Sequence, residues 1–95
     1  MSEQDIFELF DKTGRKIRLT KKQWTHIQQD HPDITEEQIK EALLKPIKIT
    51  KEYKNKMFYY RNFEQRKQKN KFLRVIVKYL NGDGFIITAY FVSRT

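Results

Sequence analysis

Two histidines, two cations placed within apolar runs and a set of tyrosines are the residues of this 95-residue chain with reactive potential. His26 and His31 lie five positions apart, so on a helix they point about 140° from each other and cannot grip one metal ion together. The two serines, Ser2 and Ser93, sit at the chain's ends and suit no serine–histidine–aspartate arrangement. Three glycines make no phosphate-cradling loop, and the absence of cysteine removes both thiolate metal sites and disulfides. Acid–base and electrostatic chemistry remains, with neither metal nor cofactor called for. A phosphodiester of RNA suits such groups because the 2′-hydroxyl is a built-in nucleophile. It needs only to be aligned, deprotonated and relieved of phosphate charge while the leaving oxygen is protonated.

His31 is the more interesting histidine, because the C-terminal end of a helix favours its protonated form. The competing reading packs it beside Trp24 as a helix cap. His26 falls on the opposite face, where exposure alone accounts for it. Arg61 and Lys78 each interrupt an apolar strand run, and Tyr60, Thr88 and Tyr90 accompany them. Thr88 and Tyr90 share one face by period-two alternation. An even-length loop sets Lys78 opposite Ile87 or Ala89, whereas a three-residue loop with a bulge sets it opposite Thr88.

Basic charge is confined to one half of the chain. Residues 1–46 hold eight Lys/Arg against nine Asp/Glu, and residues 47–95 hold twelve against three. Such asymmetry is expected of a polyanion-binding face, although a solubilising lysine coat would look similar. No apolar run approaches the ~20 residues that span a bilayer, and the acidic start MSEQDIFELF lacks a signal core. A single cytosolic domain over residues 1–95, without membrane contact, is the expectation.

The elements follow from local patterns. IFELFDKTGRKIRLT reads as a short hairpin turning at Thr13-Gly14. Thr20 caps a helix over 21–31 whose stripe is Trp24, Ile27 and His31, ended by Pro32. Thr35 with Gln38 forms a capping box for a second helix, with Ile34 outside the cap and Ile39, Ala42 and Leu43 on its apolar face. Lys45 and Pro46 close it. IKITKEY, MFYYRNF, FLRVIVKYL and FIITAYFV then read as strands, the last pair joined at NGDG. The expected fold is α+β: a short N-terminal β-hairpin, two α-helices, then a four-stranded antiparallel sheet with one face left open. Tyr59, Tyr60, Arg61, Arg74, Lys78, Thr88 and Tyr90 are the expected occupants of that open face. Arg66, Lys67, Lys69 and Lys71, on the connector between two aromatic strands, would form its basic rim. Such groups hold phosphates and stack bases.

The series W-x-H-I-x-x-x-HP at Trp24–Pro32, L-x-x-P at Leu43–Pro46, YYR at Tyr59–Arg61, RVIVK at Arg74–Lys78 and IITAY at Ile86–Tyr90 resembles the phage-associated branch of the barnase/EndoU/RelE-like nuclease superfamily. The resemblance spans residues 17–92 and implies a barnase/RelE-like α+β fold and metal-independent RNA cleavage. Many such proteins are toxins of toxin–antitoxin pairs or phage-borne effectors. The family's polar positions fall on His31, Arg61, Lys78, Thr88, Tyr90 and His26, with base and acid unassigned. The connector EQRKQKNK carries more lysine than the motif demands, which also suits a domain that only binds RNA. Three functions stand as expectations: a small endoribonuclease, a non-catalytic nucleic-acid-binding module, and a domain docking an acidic antitoxin or immunity-type protein.

Overall fold

The computed structural model describes residues 4–95, so the first three residues of the acidic N-terminal stretch lie outside it. Strand β1 (Asp5–Phe10) and strand β2 (Lys16–Thr20) form the N-terminal hairpin. Its turn is organised by one carboxylate. Asp11 Oδ1 accepts from the Thr13 amide at 2.9 Å, the Thr13 hydroxyl at 2.7 Å and the Arg15 amide at 2.9 Å. Gly14, at φ +87°, takes the left-handed position that this tight turn needs.

Thr20 ends β2 and caps helix α1 (Lys21–Asp30), accepting from the Gln23 amide at 3.2 Å. His31 is its C-cap, and Pro32 prevents continuation. Helix α2 (Glu36–Leu44) carries the complete Thr35–Gln38 capping box and buries Ile39, Ala42 and Leu43. Four strands follow: β3 (Lys48–Glu52), β4 (Lys56–Asn62), β5 (Phe72–Leu80) and β6 (Asp83–Val92). Asn81 and Gly82 both have positive φ, 53° and 87°, which a two-residue primed turn between β5 and β6 requires. Gly84, by contrast, is a buried strand residue. A Cβ there would lie 2.9 Å from both Tyr79 Cε1 and Val77 Cγ1.

The strands form one six-stranded mixed sheet in the order β1-β2-β6-β5-β4-β3. This corrects the expected four-stranded antiparallel sheet with a separate hairpin, within the same α+β class. β2 pairs in parallel with β6 at Ile17↔Gly84 and Arg18↔Phe85. Without it β6 would be an edge strand with unpaired backbone groups, and β2 would have only β1 beside it. The partners are more than sixty residues apart, so no local pattern announces the pairing.

The helices cover one face of the sheet. Ile27, Ile34, Ile39, Ala42 and Leu43 pack there on Ile17, Leu19, Tyr59, Leu73, Val75, Val77, Ile86 and Ala89, all essentially removed from solvent. Burying a side chain of this size stabilises by about 1.5–3 kcal/mol. Among the described residues, no helix is long and apolar enough to cross a membrane.

Candidate nucleic-acid interface

The uncovered face centres on Arg74. Alternation along β5 turns Leu73, Val75 and Val77 to the helices and leaves Arg74, Ile76 and Lys78 on the other side. On β4 the same alternation places Lys56, Phe58 and Tyr60 on this face. The Arg74 Nε donates to the Tyr60 hydroxyl at 3.0 Å, and Nη1 donates to the Tyr90 hydroxyl at 3.1 Å. Its guanidinium lies over the rings of Phe58, Tyr60 and Tyr90 at 5.2–5.5 Å. Burial opposes the charge on Arg74, but the bonds to Tyr90 and Tyr60 outweigh it and raise its pKa further. Of its five N–H donors, three remain for a ligand.

Tyr90 reaches Arg74 because of a bulge. The two-residue turn sets Leu80 opposite Asp83 and Lys78 opposite Phe85, and the register then shifts between Val77↔Ile86 and Ile76↔Thr88. Ile87 is the extra residue. Without it Thr88 would face Val75 and Tyr90 would face Leu73, both turned into the core. With it Arg74↔Tyr90 and Ile76↔Thr88 are partners on the open face. Lys78 therefore faces neither Ile87, Ala89 nor Thr88. The Ile87 carbonyl accepts from the Gln23 side-chain amide at 2.8 Å, so α1 holds the bulge. α1 also delivers His31, whose ring centroid is 5.9 Å from that of Tyr90 at an interplanar angle of 31°.

Further cations complete the face. Lys48 lies 6.0 Å from the Tyr60 ring, and Lys56 is the direct cross-strand partner of Lys78. Like charges in that position repel, a repulsion that Glu52, on the other side of Lys56, offsets in part. Arg18 on the same face is matched by Glu8 at 3.2 Å and Asp83 at 3.7 Å, whereas Lys48, Lys56, Arg74 and Lys78 form no ion pair among the described residues, although Glu52 is the cross-strand partner of Lys56 in β3. Lys48, Lys56 and Phe58 are not singled out by the sequence pattern. Their signal was the alternation Lys56-Phe58-Tyr60, obscured by equally bulky neighbours at Met57 and Tyr59.

Several expected site residues lie elsewhere. Arg61 shares the helix side of β4 with Tyr59 and holds the end of α2, its Nη1 donating to the Lys45 carbonyl at 2.9 Å and its Nη2 lying 3.6 Å from Glu41. A cation there satisfies an end-of-helix carbonyl and complements the helix dipole. Tyr59 is in the core, donating its hydroxyl to the buried Asp11 carboxylate. Desolvation and that bond push its pKa far above the usual phenol range. His26 is exposed midway along α1, beside Gln4, Lys21 and Thr25.

The connector divides into two pairs. Arg66 is mostly buried, donating to Asp33 at 3.0 Å and to the Asn70 carbonyl at 3.0 Å while its guanidinium lies 3.5 Å from the Phe91 ring centroid. The Lys71 ammonium donates to the carbonyls of Glu64 and Arg66. Lys67 and Lys69 are exposed and have no partner among the described residues. Two of the four rim charges thus hold the connector together, and two are available to a ligand.

No curated protein and no solved structure matches the chain. A family model matches residues 26–91, from within α1 to the penultimate residue of β6, leaving the β1–β2 hairpin outside. That match covers most of the chain, which therefore belongs to the family described as Domain of unknown function (DUF4258).

Proposed function

We propose that the open face binds single-stranded RNA and cleaves it without a metal ion, by attack of the 2′-hydroxyl on the adjacent phosphorus. The observation that carries this reading is the Arg74 guanidinium, fixed by the hydroxyls of Tyr60 and Tyr90 with His31 against the same Tyr90. A preorganised cation with free N–H donors stabilises the charge that develops on a phosphorane. Lys48, Lys56 and Lys78 extend the positive surface along the backbone path, and the partly exposed rings of Phe58 and Tyr90 offer stacking surfaces, whereas Tyr60 is buried and serves to hold Arg74. The likeness to the barnase/EndoU/RelE-like nucleases supports the same chemistry.

In the reaction the 2′-oxygen loses its proton to a base, the O2′–P bond forms and the P–O5′ bond breaks. The 5′-oxygen takes up a proton, leaving a 2′,3′-cyclic phosphate. His31 supplies an imidazole for one proton transfer. The Tyr90 hydroxyl accepts from Arg74 and so keeps its own proton for donation. Arg74 holds the phosphate in place of Arg61, while Lys78 and Thr88 lie further along the same face.

The test is incubation with RNA and with DNA of the same sequence in EDTA. The expected result is RNA fragments ending in 2′,3′-cyclic phosphate, intact DNA, and loss of cleavage in His31→Ala and Arg74→Ala. A requirement for magnesium, or equal cleavage of DNA, would refute the mechanism. RNA that stays intact but binds with strong salt dependence would make the face a non-catalytic RNA platform, the second reading its aromatic and cationic make-up supports. An acidic antitoxin or immunity-type partner would compete for these same cations.

A further inference from the structure

The other side of the sheet carries a second cationic feature. Beyond the end of α2, the β1–β2 turn and the β3–β4 turn enclose a cleft of about 360 Å³ lined by Arg15, Lys51, Asn55, Met57, Tyr79 and Gly82. Lys51 and Met57 are cross-strand partners on the face that bears Tyr59, and Tyr79 follows Val77 on that face of β5. The cleft therefore opens away from the Arg74 face.

Its floor is built. Asp11 is buried and accepts from the Thr13 amide and hydroxyl, the Arg15 amide and the Tyr59 hydroxyl. Since the Tyr59 proton goes to Asp11, the hydrogen bond between Tyr59 and Tyr79 must be donated by Tyr79. The Tyr79 ring is thus anchored from behind, and it fits beside Gly84, where any side chain would collide with it. The Arg15 guanidinium lies over this ring, 4.8 Å from its centroid. Arg15 also donates to the Tyr79 hydroxyl, which fixes the guanidinium and leaves its other N–H donors for a ligand.

The wall carries a second cation and no carboxylate. Lys51 is exposed and has no ion-pair partner among the described residues. Asp11, the nearby anion, has its oxygens committed to four donors. Asn55 also lines the cleft, and its side chain is an uncharged amide. A ring-anchored arginine, an exposed ammonium and an amide side chain around one cleft are the groups that bind a phosphoryl dianion.

We propose that the Arg15–Lys51–Tyr79 cleft is a second binding site, which takes the phosphoryl group of a small phosphate monoester. It is separate from the RNA face and does not depend on that face being catalytic. The experiment titrates inorganic phosphate, and in parallel a nucleoside 5′-monophosphate, into ¹⁵N-labelled protein at constant ionic strength, following amide shifts. Saturable shifts confined to residues 11–15, 51–55 and 79–84 are expected, with affinity falling about tenfold for each cation removed in Arg15→Gln and Lys51→Gln. The Lys67→Gln/Lys69→Gln variant, which loses two charges elsewhere, should bind as the parent does. Tighter binding of the nucleotide than of phosphate would identify a nucleotide as the source of the phosphoryl group, and equal binding would identify the free anion. Shifts that do not saturate, or that weaken equally in the Lys67/Lys69 variant, would overturn the site.

Discussion

The side-chain amide of Gln23 donates to the carbonyl of Ile87 at 2.8 Å, across 64 residues of sequence, and this bond sits at the bulge that turns Tyr90 towards Arg74. Gln23→Ala removes the hydrogen-bond partner of that carbonyl. We expect a loss of about 1 kcal/mol in stability. RNA binding should weaken more than this loss explains, because the Arg74–Tyr90 pairing depends on the register. Chemical denaturation and RNA titration of the same variant check both. Unchanged Tyr90 and Arg74 resonances in Gln23→Ala would show that the bulge holds without help from α1.

Arg61 and Arg74 should separate stability from function. Arg61→Ala frees the Lys45 carbonyl and Glu41 at the end of α2, at a cost of about 1–2 kcal/mol. Its RNA affinity below the melting range should match the parent's. Arg74→Ala should reverse the pattern, with RNA binding and cleavage abolished while the helix–sheet core stays intact. Comparable RNA defects in the two variants would mean that the helix side also meets the substrate.

On the connector, Arg66→Gln breaks the interactions with Asp33, Asn70 and Phe91, and should lower stability by about 1–2 kcal/mol. Lys67→Gln/Lys69→Gln should leave the thermal midpoint alone. It should instead shrink the slope of log K against log salt by about 0.7 for each RNA phosphate that a lysine no longer neutralises. An unaltered slope would reduce both lysines to surface charge.

Acid should unfold the protein through two carboxylates. Burial by itself would raise the Asp11 pKa, but the bonds from Tyr59, Thr13 and Arg15 outweigh it and hold it below 3.8. Asp33 is held low by its bond from Arg66 and by the nearby charges of Arg66 and His31. A carboxylate more acidic folded than unfolded contributes its full stability above the unfolded value and loses it as pH falls through the folded one. Stability should therefore be level above about pH 5 and decline below about pH 4. Asp11→Asn should flatten that decline. Denaturation midpoints across this range measure it, and an acid limb identical in Asp11→Asn would exclude Asp11 as a source.

Local chemistry was legible in the chain wherever one residue's reach decided the outcome. Thr20 and Thr35 accept from amides three residues on, Pro32 and Pro46 forbid further helix, and Asn81-Gly82 tolerate positive φ. None of these needs a distant partner. The face of each strand was a different matter. MFYYRNF has bulky residues at both parities, so alternation does not say whether Tyr59 with Arg61 or Phe58 with Tyr60 turns inward. Packing against α2 chose the first pair, burying Tyr59 on Asp11 and committing Arg61 to Lys45. In FIITAYFV a single inserted residue reverses every side chain beyond it, and the bulge at Ile87 is set by Gln23 and by the core demands of Ile86 and Ala89. The parallel pairing of Ile17 with Gly84 likewise rests on a vacant Cβ position between Tyr79 and Val77. Types of residue and their caps are properties of the chain alone. Which cation faces solvent beside Tyr90 was decided by packing, because a strand repeats every two residues and a shift of one residue changes its face.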